Sequence, residues 1–321
     1  MRILLTGATG QVGWELARTL MPLGKVIIAD RTRCDLAQPR TLAAAVDEVR
    51  PDVIVNAAAY TAVDKAEDET ALAMAVNAEA PGELAKAARR HGALLAHYST
   101  DYVFDGGQYS PYRETDPTGP LGTYGRSKLA GEEAVAASGA DHVIFRTSWV
   151  YAARGKNFLL TMLRLARERE QLRVVVDQFG APTWARLIAE TTALALQQDL
   201  ARRHEGAFES ALVHLTAAGS TSWHGFASAI VDAAREQGMP LQCREVIPIT
   251  TAEYPLPSPR PANSRLAGDR LAQRYGLEMP AWEWCLHLCL AELQPAAGPS
   301  VAAEPPRLVK PLPGQQLESA L

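Results

Sequence analysis

Short apolar runs without polar alternation recur through the first half of the chain: Ile3-Leu4-Leu5, Val26-Ile27-Ile28-Ala29, Val53-Ile54-Val55, Leu94-Leu95-Ala96-His97-Tyr98 and Val143-Ile144-Phe145. Such runs predict strands buried on both faces, as in a parallel sheet covered by helices. The amphipathic stretches between them predict helices over 11–21, 42–49, 70–90 and 127–137. Right-handed crossovers joining these elements give a doubly wound α/β fold. After Trp149 the rhythm loosens. Helices are expected near 158–168, 186–197, 223–237 and 282–293, and strands near 172–175 and 212–215. The stretch 250–261 is Pro-rich and irregular. This half reads as a smaller α/β lobe, some of whose segments return to the first sheet. From residue 294 onward Pro, Ala, Gly and Ser prevail, which predicts a disordered tail over 294–321.

Composition narrows the class. The 321 residues are 47% hydrophobic but only 7% aromatic, and Ala is abundant, which favours helices on a sheet over a β-sandwich. A net charge of −4 argues against a nucleic-acid partner, which calls for a basic face. No apolar run approaches the ~18 residues of a membrane span. The N-terminal run is too short for a signal peptide and enters a glycine motif directly. Cys34, Cys243, Cys285 and Cys289 lack C-x-x-C spacing, so they read as buried thiols of a cytoplasmic protein rather than as a zinc site.

Thr6-Gly-Ala-Thr-Gly-Gln-Val-Gly13 lies between the first strand and the first helix. Gly7 permits a tight turn, Gly10 lets a pyrophosphate approach the backbone, and Gly13 lets helix and strand pack closely. The helix N-terminus presents N–H groups and partial positive charge to phosphates. Asp30, ending the second strand, suits a ribose diol and hence NADH, while Arg31 and Arg33 can offset its repulsion of the 2′-phosphate of NADPH. Asp35-Leu36 can flank an adenine, and the small residues of Asn56-Ala-Ala-Ala59 leave room for a dinucleotide. The boundaries expected are therefore a dinucleotide-binding domain over 1–149 and a mainly substrate-binding lobe over 150–293.

Tyr124-Gly-Arg-Ser-Lys128 is a Y-x-x-x-K, whose spacing puts both side chains on one helix face. A free phenol has a pKa near 10, and a neighbouring ammonium is expected to lower it toward a useful acid. Thr100 sits just past the fourth strand, at the carboxyl edge where ligands bind such sheets, and can hydrogen-bond a carbonyl beside Tyr124. Phosphate loop, hydroxyl and Tyr/Lys pair together describe a carbonyl–alcohol oxidoreductase.

These motifs resemble those of the extended short-chain dehydrogenase/reductase family. The carrying segments are 6–16, 50–67, 97–106, 124–132, 145–152, 176–183 and 260–266, and they are most similar to its reductases of dTDP-linked 4-keto-6-deoxy sugars. The resemblance implies reduction of the C4 ketone of dTDP-4-dehydro-β-L-rhamnose to dTDP-β-L-rhamnose, with NADPH or NADH. It carries a catalytic role to Thr100, Tyr124 and Lys128. It carries cofactor contact to Gly10, Gln11, Val12, Asp30, Asp35, Leu36, Ala59, Tyr60 and Thr61; Tyr124 and Lys128 are expected at the cofactor as well, Lys128 through the nicotinamide ribose. It places Thr100, Asp101 and Trp149 at the sugar. Arg260 and Arg265 are read from chemistry alone, either as diphosphate ligands or as structural ion pairs.

Some relatives dimerise through magnesium held by three glutamates. Glu15 and Glu292 match two of those positions, but the third is Arg186, which cannot ligate a metal. No metal site is therefore expected. An ion cluster within or between chains takes its place, in a monomer or homodimer. The competing readings are a related nucleotide-sugar epimerase or dehydratase, and a non-catalytic cofactor-binding regulatory subunit. Elimination is poorly served, because Thr100 is followed by Asp101 and Tyr102 rather than by an Asp-Glu pair.

Overall fold

A computed structural model describes residues 1–293, and the expected disordered tail over 294–321 lies outside the described residues. The first half runs β1 (Arg2–Thr6), α1 (Gln11–Thr19), β2 (Lys25–Ala29), α2 (Leu42–Val49), β3 (Val53–Asn56), α3 (Thr70–Met74), α4 (Ala80–His91), β4 (Leu94–Thr100), α5 (Thr123–Ala137) and β5 (His142–Thr147). The second runs β6 (Val150–Tyr151), α6 (Phe158–Glu168), β7 (Gln171–Val175), β8 (Phe179–Gly180), β9 (Thr183–Trp184), α7 (Ala185–His204), β10 (Ala211–His214), β11 (Thr221–Ser222), α8 (Trp223–Glu236), β12 (Glu245–Ile249), α9 (Asp269–Tyr275) and α10 (Trp282–Ala291).

Six parallel strands form the central sheet in the order β2-β1-β3-β4-β5-β10. The unalternated apolar runs explain it. Ile3, Leu5, Val53, Val55 and Leu94 face one way and pack with Leu16 of α1 and Ile188 of α7. Leu4, Ile54, Leu95 and Ile144 face the other way and pack with Val46 of α2 and Leu84 of α4. A sheet buried on both faces needs helices on both, which is the doubly wound arrangement. The chain reverses its direction of travel across the sheet between β1 and β3, and a ligand crevice opens at the carboxyl ends of strands there. β10 is a late segment that joins the sheet beside β5. α7 and α9 also pack on this sheet, through Ile188 and Leu271, and much of the remaining second half gathers around its own core, which includes Tyr151, Leu159, Trp184, Phe226, Trp282, Cys285 and Cys289. All four cysteines are free and buried. Among the described residues, no helix is long and apolar enough to cross a membrane.

Several elements depart from the sequence reading. The expected helix over 70–90 is interrupted by a π-helical turn, Ala75–Glu79, between α3 and α4. Pro81 accounts for its place: a proline ring clashes with the carbonyl four residues back, and a widened turn relieves that clash. β12 pairs in parallel with β7, and α9 precedes α10; neither β12 nor α9 is evident from periodicity. Helix α5 starts at Thr123 rather than 127, so it carries Tyr124 in its first turn.

The π turn lets α5 come close. A Cβ on Gly131 would stand 2.0 Å from the Asn77 carbonyl oxygen, so Gly131 is required where the helices touch. Gly131→Ala is expected to lower stability by about 2 kcal/mol through overpacking. Calorimetry should show a reduced melting temperature; an unchanged one would contradict the close approach.

Candidate active site

The turn after β1 is shaped for a ligand backbone. Gly7 has φ +72°, and a Cβ there would lie 2.5 Å from the Ala58 nitrogen in the loop after β3. A Cβ on Gly13 would lie 2.0 Å from the Gly7 carbonyl oxygen. Gly10 is the N-cap of α1, and no side chain caps that helix, which leaves its first-turn N–H groups to a phosphate. Gln11 bridges to the second half: its Oε1 accepts from Asn157 Nδ2 at 2.9 Å. Val12 packs against the core on the α1 side of the sheet. The cradle fits a dinucleotide pyrophosphate.

The adenosine end is more mixed. Asp30 is exposed, and its Oδ1 accepts from the Thr32 hydroxyl (2.6 Å) and amide (3.0 Å). These bonds, the Thr32 hydroxyl first, hold its carboxyl below the usual range. Arg33 pairs with Glu48 at 3.4 Å. Asp35 caps its own turn through the Ala37 amide (3.1 Å), and Leu36 is buried in the cluster with Cys34 and Leu42. Ala59 and Thr61 are exposed in the loop after β3. The Tyr60 phenol donates to Glu69 at 2.6 Å, and that bond pushes it up to about 12. Asn77, in the π turn, clasps this loop: its Oδ1 accepts from Tyr60 N and its Nδ2 donates to Tyr60 O, both at 2.9 Å.

Thr100 ends β4 at the carboxyl edge, where the structure brings Tyr124 to it. Burial pushes the Tyr124 phenol up to about 12, a side-chain hydrogen bond with Thr100 pulls it back, and the nearby Asp101 charge raises it. Tyr102 stands edge-on to the Tyr124 ring at 5.7 Å between centroids. Lys128 is 2% exposed, and burial pulls its ammonium down to about 8. Its Nζ donates to the Tyr98 carbonyl at 2.5 Å. The expected lowering of the phenol by Lys128 is not seen: burial sets the phenol's value, and one of the three N–H groups of the ammonium goes to the Tyr98 carbonyl. A phenol held protonated is nevertheless the form that donates a proton.

Asp101 is buried beside both groups and accepts from the Thr100 hydroxyl at 2.9 Å. Trp149 adopts φ +46°, a left-handed conformation that strains a bulky residue by about 1–3 kcal/mol. Its indole stacks flat on Trp223, with 3.5 Å between centroids. Strain of that kind persists where surroundings impose it, as at a ligand wall.

Sequence spacing missed the strap over Tyr124. Glu67 accepts from Thr123 N (2.9 Å), Thr123 Oγ1 (2.7 Å) and Ser258 Oγ (2.7 Å), tying the start of α5 to the Pro-rich segment. Val63, Tyr102, Tyr124, Ser258 and Pro261 line the small pocket beneath. Of the two readings open for Arg260, the structure shows the ion pair: it bonds Asp64 at 2.9 Å. Arg265 is held by Asn263 Oδ1 at 2.8 Å and by the Tyr109 carbonyl. On the other side of the sheet Arg186 bonds both Glu15 (3.2 Å) and Glu292, within one chain. A guanidinium between the two carboxylates does not fit a bound cation, and no chemistry is routed through one.

Asp101 offers a test of the site's electrostatics. Burial pushes its carboxyl up to about 6 from the usual 3.8. The folded state thus holds that proton more tightly than the unfolded state. Its contribution to stability is full below about 3.8 and is lost as pH rises through about 6. Asp101→Asn should therefore raise the melting temperature at about pH 8 and change it little at about pH 4. An equal change at both would contradict the assignment.

The chain is similar to known proteins over nearly its whole described length. A family model described as the RmlD substrate binding domain matches residues 1–295. The dTDP-4-dehydrorhamnose reductase of Burkholderia thailandensis is 57% identical over 295 residues, covering 91% of this chain and 99% of that one. The enzyme of the same name from Salmonella typhimurium is 48% identical over 297 residues, covering 91% and 98%. Among solved structures, the dTDP-4-dehydrorhamnose reductase of Bacillus anthracis in complex with NADP superposes with a TM-score of 0.80. It is 34% identical, with 91% of this chain and 99% of that chain covered.

Proposed function

The chain belongs to the RmlD substrate binding domain family, and from that premise we propose that it reduces the C4 ketone of dTDP-4-dehydro-β-L-rhamnose to dTDP-β-L-rhamnose. NADPH or NADH is the reductant. The observation that carries this reading is the meeting of Thr100, Tyr124 and Lys128 at one sheet edge beside a glycine cradle fit for a dinucleotide.

With its pyrophosphate on the Gly7–Gly13 turn, a nicotinamide dinucleotide would supply the hydride for the carbonyl carbon. Tyr124, protonated at neutral pH, gives its proton to the carbonyl oxygen, and the ketone becomes a secondary alcohol. The charge of Lys128 stabilises the phenolate left behind. Thr100 now points its proton at Asp101, so it polarises the substrate by turning that proton toward the carbonyl. Trp149 offers the deoxysugar a flat apolar wall with one N–H donor. Arg260 reaches a diphosphate only by leaving Asp64, which favours a structural role for it. Arg31 and Arg33 follow Asp30 and give a 2′-phosphate nearby positive charge.

A direct assay supplies the dTDP-linked 4-keto sugar with either reduced nicotinamide and follows its absorbance. Tyr124→Phe should lower turnover by at least about 100-fold while cofactor affinity stays within a few-fold. A variant nearly as fast as the unaltered protein would refute the proton donor.

The Glu15–Arg186–Glu292 cluster replaces a metal bridge in this reading. Chelator should leave both turnover and the mass measured by light scattering unchanged. A chelator-sensitive dimer would contradict this.

A further inference from the structure

Thr6, Asn56 and His97 each fall at or near the end of an apolar run, and strand register sets them side by side. Thr6 lies opposite Asn56, and Asn56 opposite His97. All three are fully buried and bond in series. The Thr6 hydroxyl donates to Asn56 Oδ1 at 2.6 Å, and Asn56 Nδ2 lies 3.1 Å from His97 Nδ1. The far ring nitrogen, Nε2, lies 3.5 Å from Lys128 Nζ. Neither the glycine motif nor the Tyr/Lys/Thr set gives this row a role.

A buried ammonium needs an acceptor for each N–H it turns away from solvent. The Tyr98 carbonyl takes one. A second acceptor must offer a lone pair, and His97 Nε2 is within reach. We propose that His97 is a positioning residue: its Nε2 lone pair keeps Lys128 charged and aimed toward Tyr124, while Asn56 and Thr6 couple the position of the ring proton to the charge on the lysine. The inference rests on the reading of Tyr124 and Lys128 as the reducing pair.

The row has two self-consistent settings. When Lys128 is charged, Nε2 accepts from it and the proton sits on Nδ1. The Asn56 amide then turns its oxygen to the ring and its nitrogen to Thr6. When Lys128 is neutral, Nε2–H donates to Nζ, Nδ1 accepts from Asn56 Nδ2, and Asn56 Oδ1 accepts from Thr6, which is the amide orientation in the structure. Going from the first setting to the second, Lys128 passes a proton to Nε2, the ring releases its Nδ1 proton to solvent, and the Asn56 amide turns over. The ring itself stays neutral: burial first, then the charges of Lys128 and His142, hold it well below the usual histidine range. From α5, Lys128 faces it, and Glu132 works to keep Lys128 charged. From β5 comes His142, while Arg146 binds Glu132 at 2.6 Å. β1 and β3 bring the uncharged Thr6 and Asn56.

The test is the pH profile of kcat/KM. Its alkaline limb should follow the loss of charge on Lys128. In His97→Leu, which removes the lone pair, that limb should move down by about one pH unit. In His97→Gln, whose amide oxygen can stand where Nε2 stood, it should return toward its original place. Superimposable profiles for His97→Leu and the unaltered protein, or equal shifts in both variants, would overturn the proposal. If neither variant folds, nitrogen chemical shifts of labelled histidine in the unaltered protein decide. His97 should carry its proton on Nδ1 below the Lys128 titration and on Nε2 above it; the same tautomer on both sides would overturn the proposal. An active unaltered enzyme with an unmoved limb refutes His97 alone. Inactivity toward the keto sugar, or an active Tyr124→Phe, refutes the reductase reading instead.

Discussion

An ammonium group buried in a protein interior carries a desolvation penalty of several kcal/mol, and the site is arranged around meeting it for Lys128. The Tyr98 carbonyl, at 2.5 Å, comes from the strand that also presents Thr100, so the bond that satisfies the lysine sets its height relative to the hydroxyl. Glu132, one turn further along α5, supplies opposite charge and is itself gripped by Arg146 of β5 at 2.8 and 2.6 Å. One buried cation therefore locks α5 to β4 and β5. Tyr124, a turn earlier on the same helix face, is carried into place by the same contact.

The second half of the chain frames what the first half assembles. Glu67 joins the start of α5 to Ser258, and Asp64 holds Arg260 of the same strap. Trp149 leaves β5 with a strained backbone and is pinned by Trp223. The Gln11–Asn157 bond ties the phosphate turn to the start of α6. The glycine turn, the Tyr124 strap and Trp149 are thus held in one geometry by contacts between distant parts of the chain, as a reaction between two bound molecules would require.

The parts of this arrangement that depend on local spacing are legible in the sequence. Unalternated runs such as Val53-Ile54-Val55 report strands with both faces buried, and the glycines at 7, 10 and 13 report a turn that has no room for a side chain at 7 or 13. Tyr124 and Lys128 are one helical turn apart, so their common face follows from arithmetic. What spacing does not encode is register and long-range pairing. Thr6, Asn56 and His97 look like three unrelated polar residues until strand alignment makes them a row. The stack of Trp149 on Trp223, the Arg260–Asp64 pair and the β7–β12 pairing share that character. Pro81 is a sequence signal for the π turn that the helix read over 70–90 passes through, whereas the use of that turn, aiming Asn77 at the Tyr60 loop, has no such signal.

The central claim is spatial: one sugar carbon lies between the bound nicotinamide and the hydroxyls of Thr100 and Tyr124. A crystal structure with oxidised cofactor and dTDP-rhamnose measures it most directly. The account predicts the sugar O4 within hydrogen-bonding distance of both hydroxyls and its C4 against the nicotinamide ring. A sugar bound with O4 turned away from Tyr124, or on the far side of the cofactor, would contradict it.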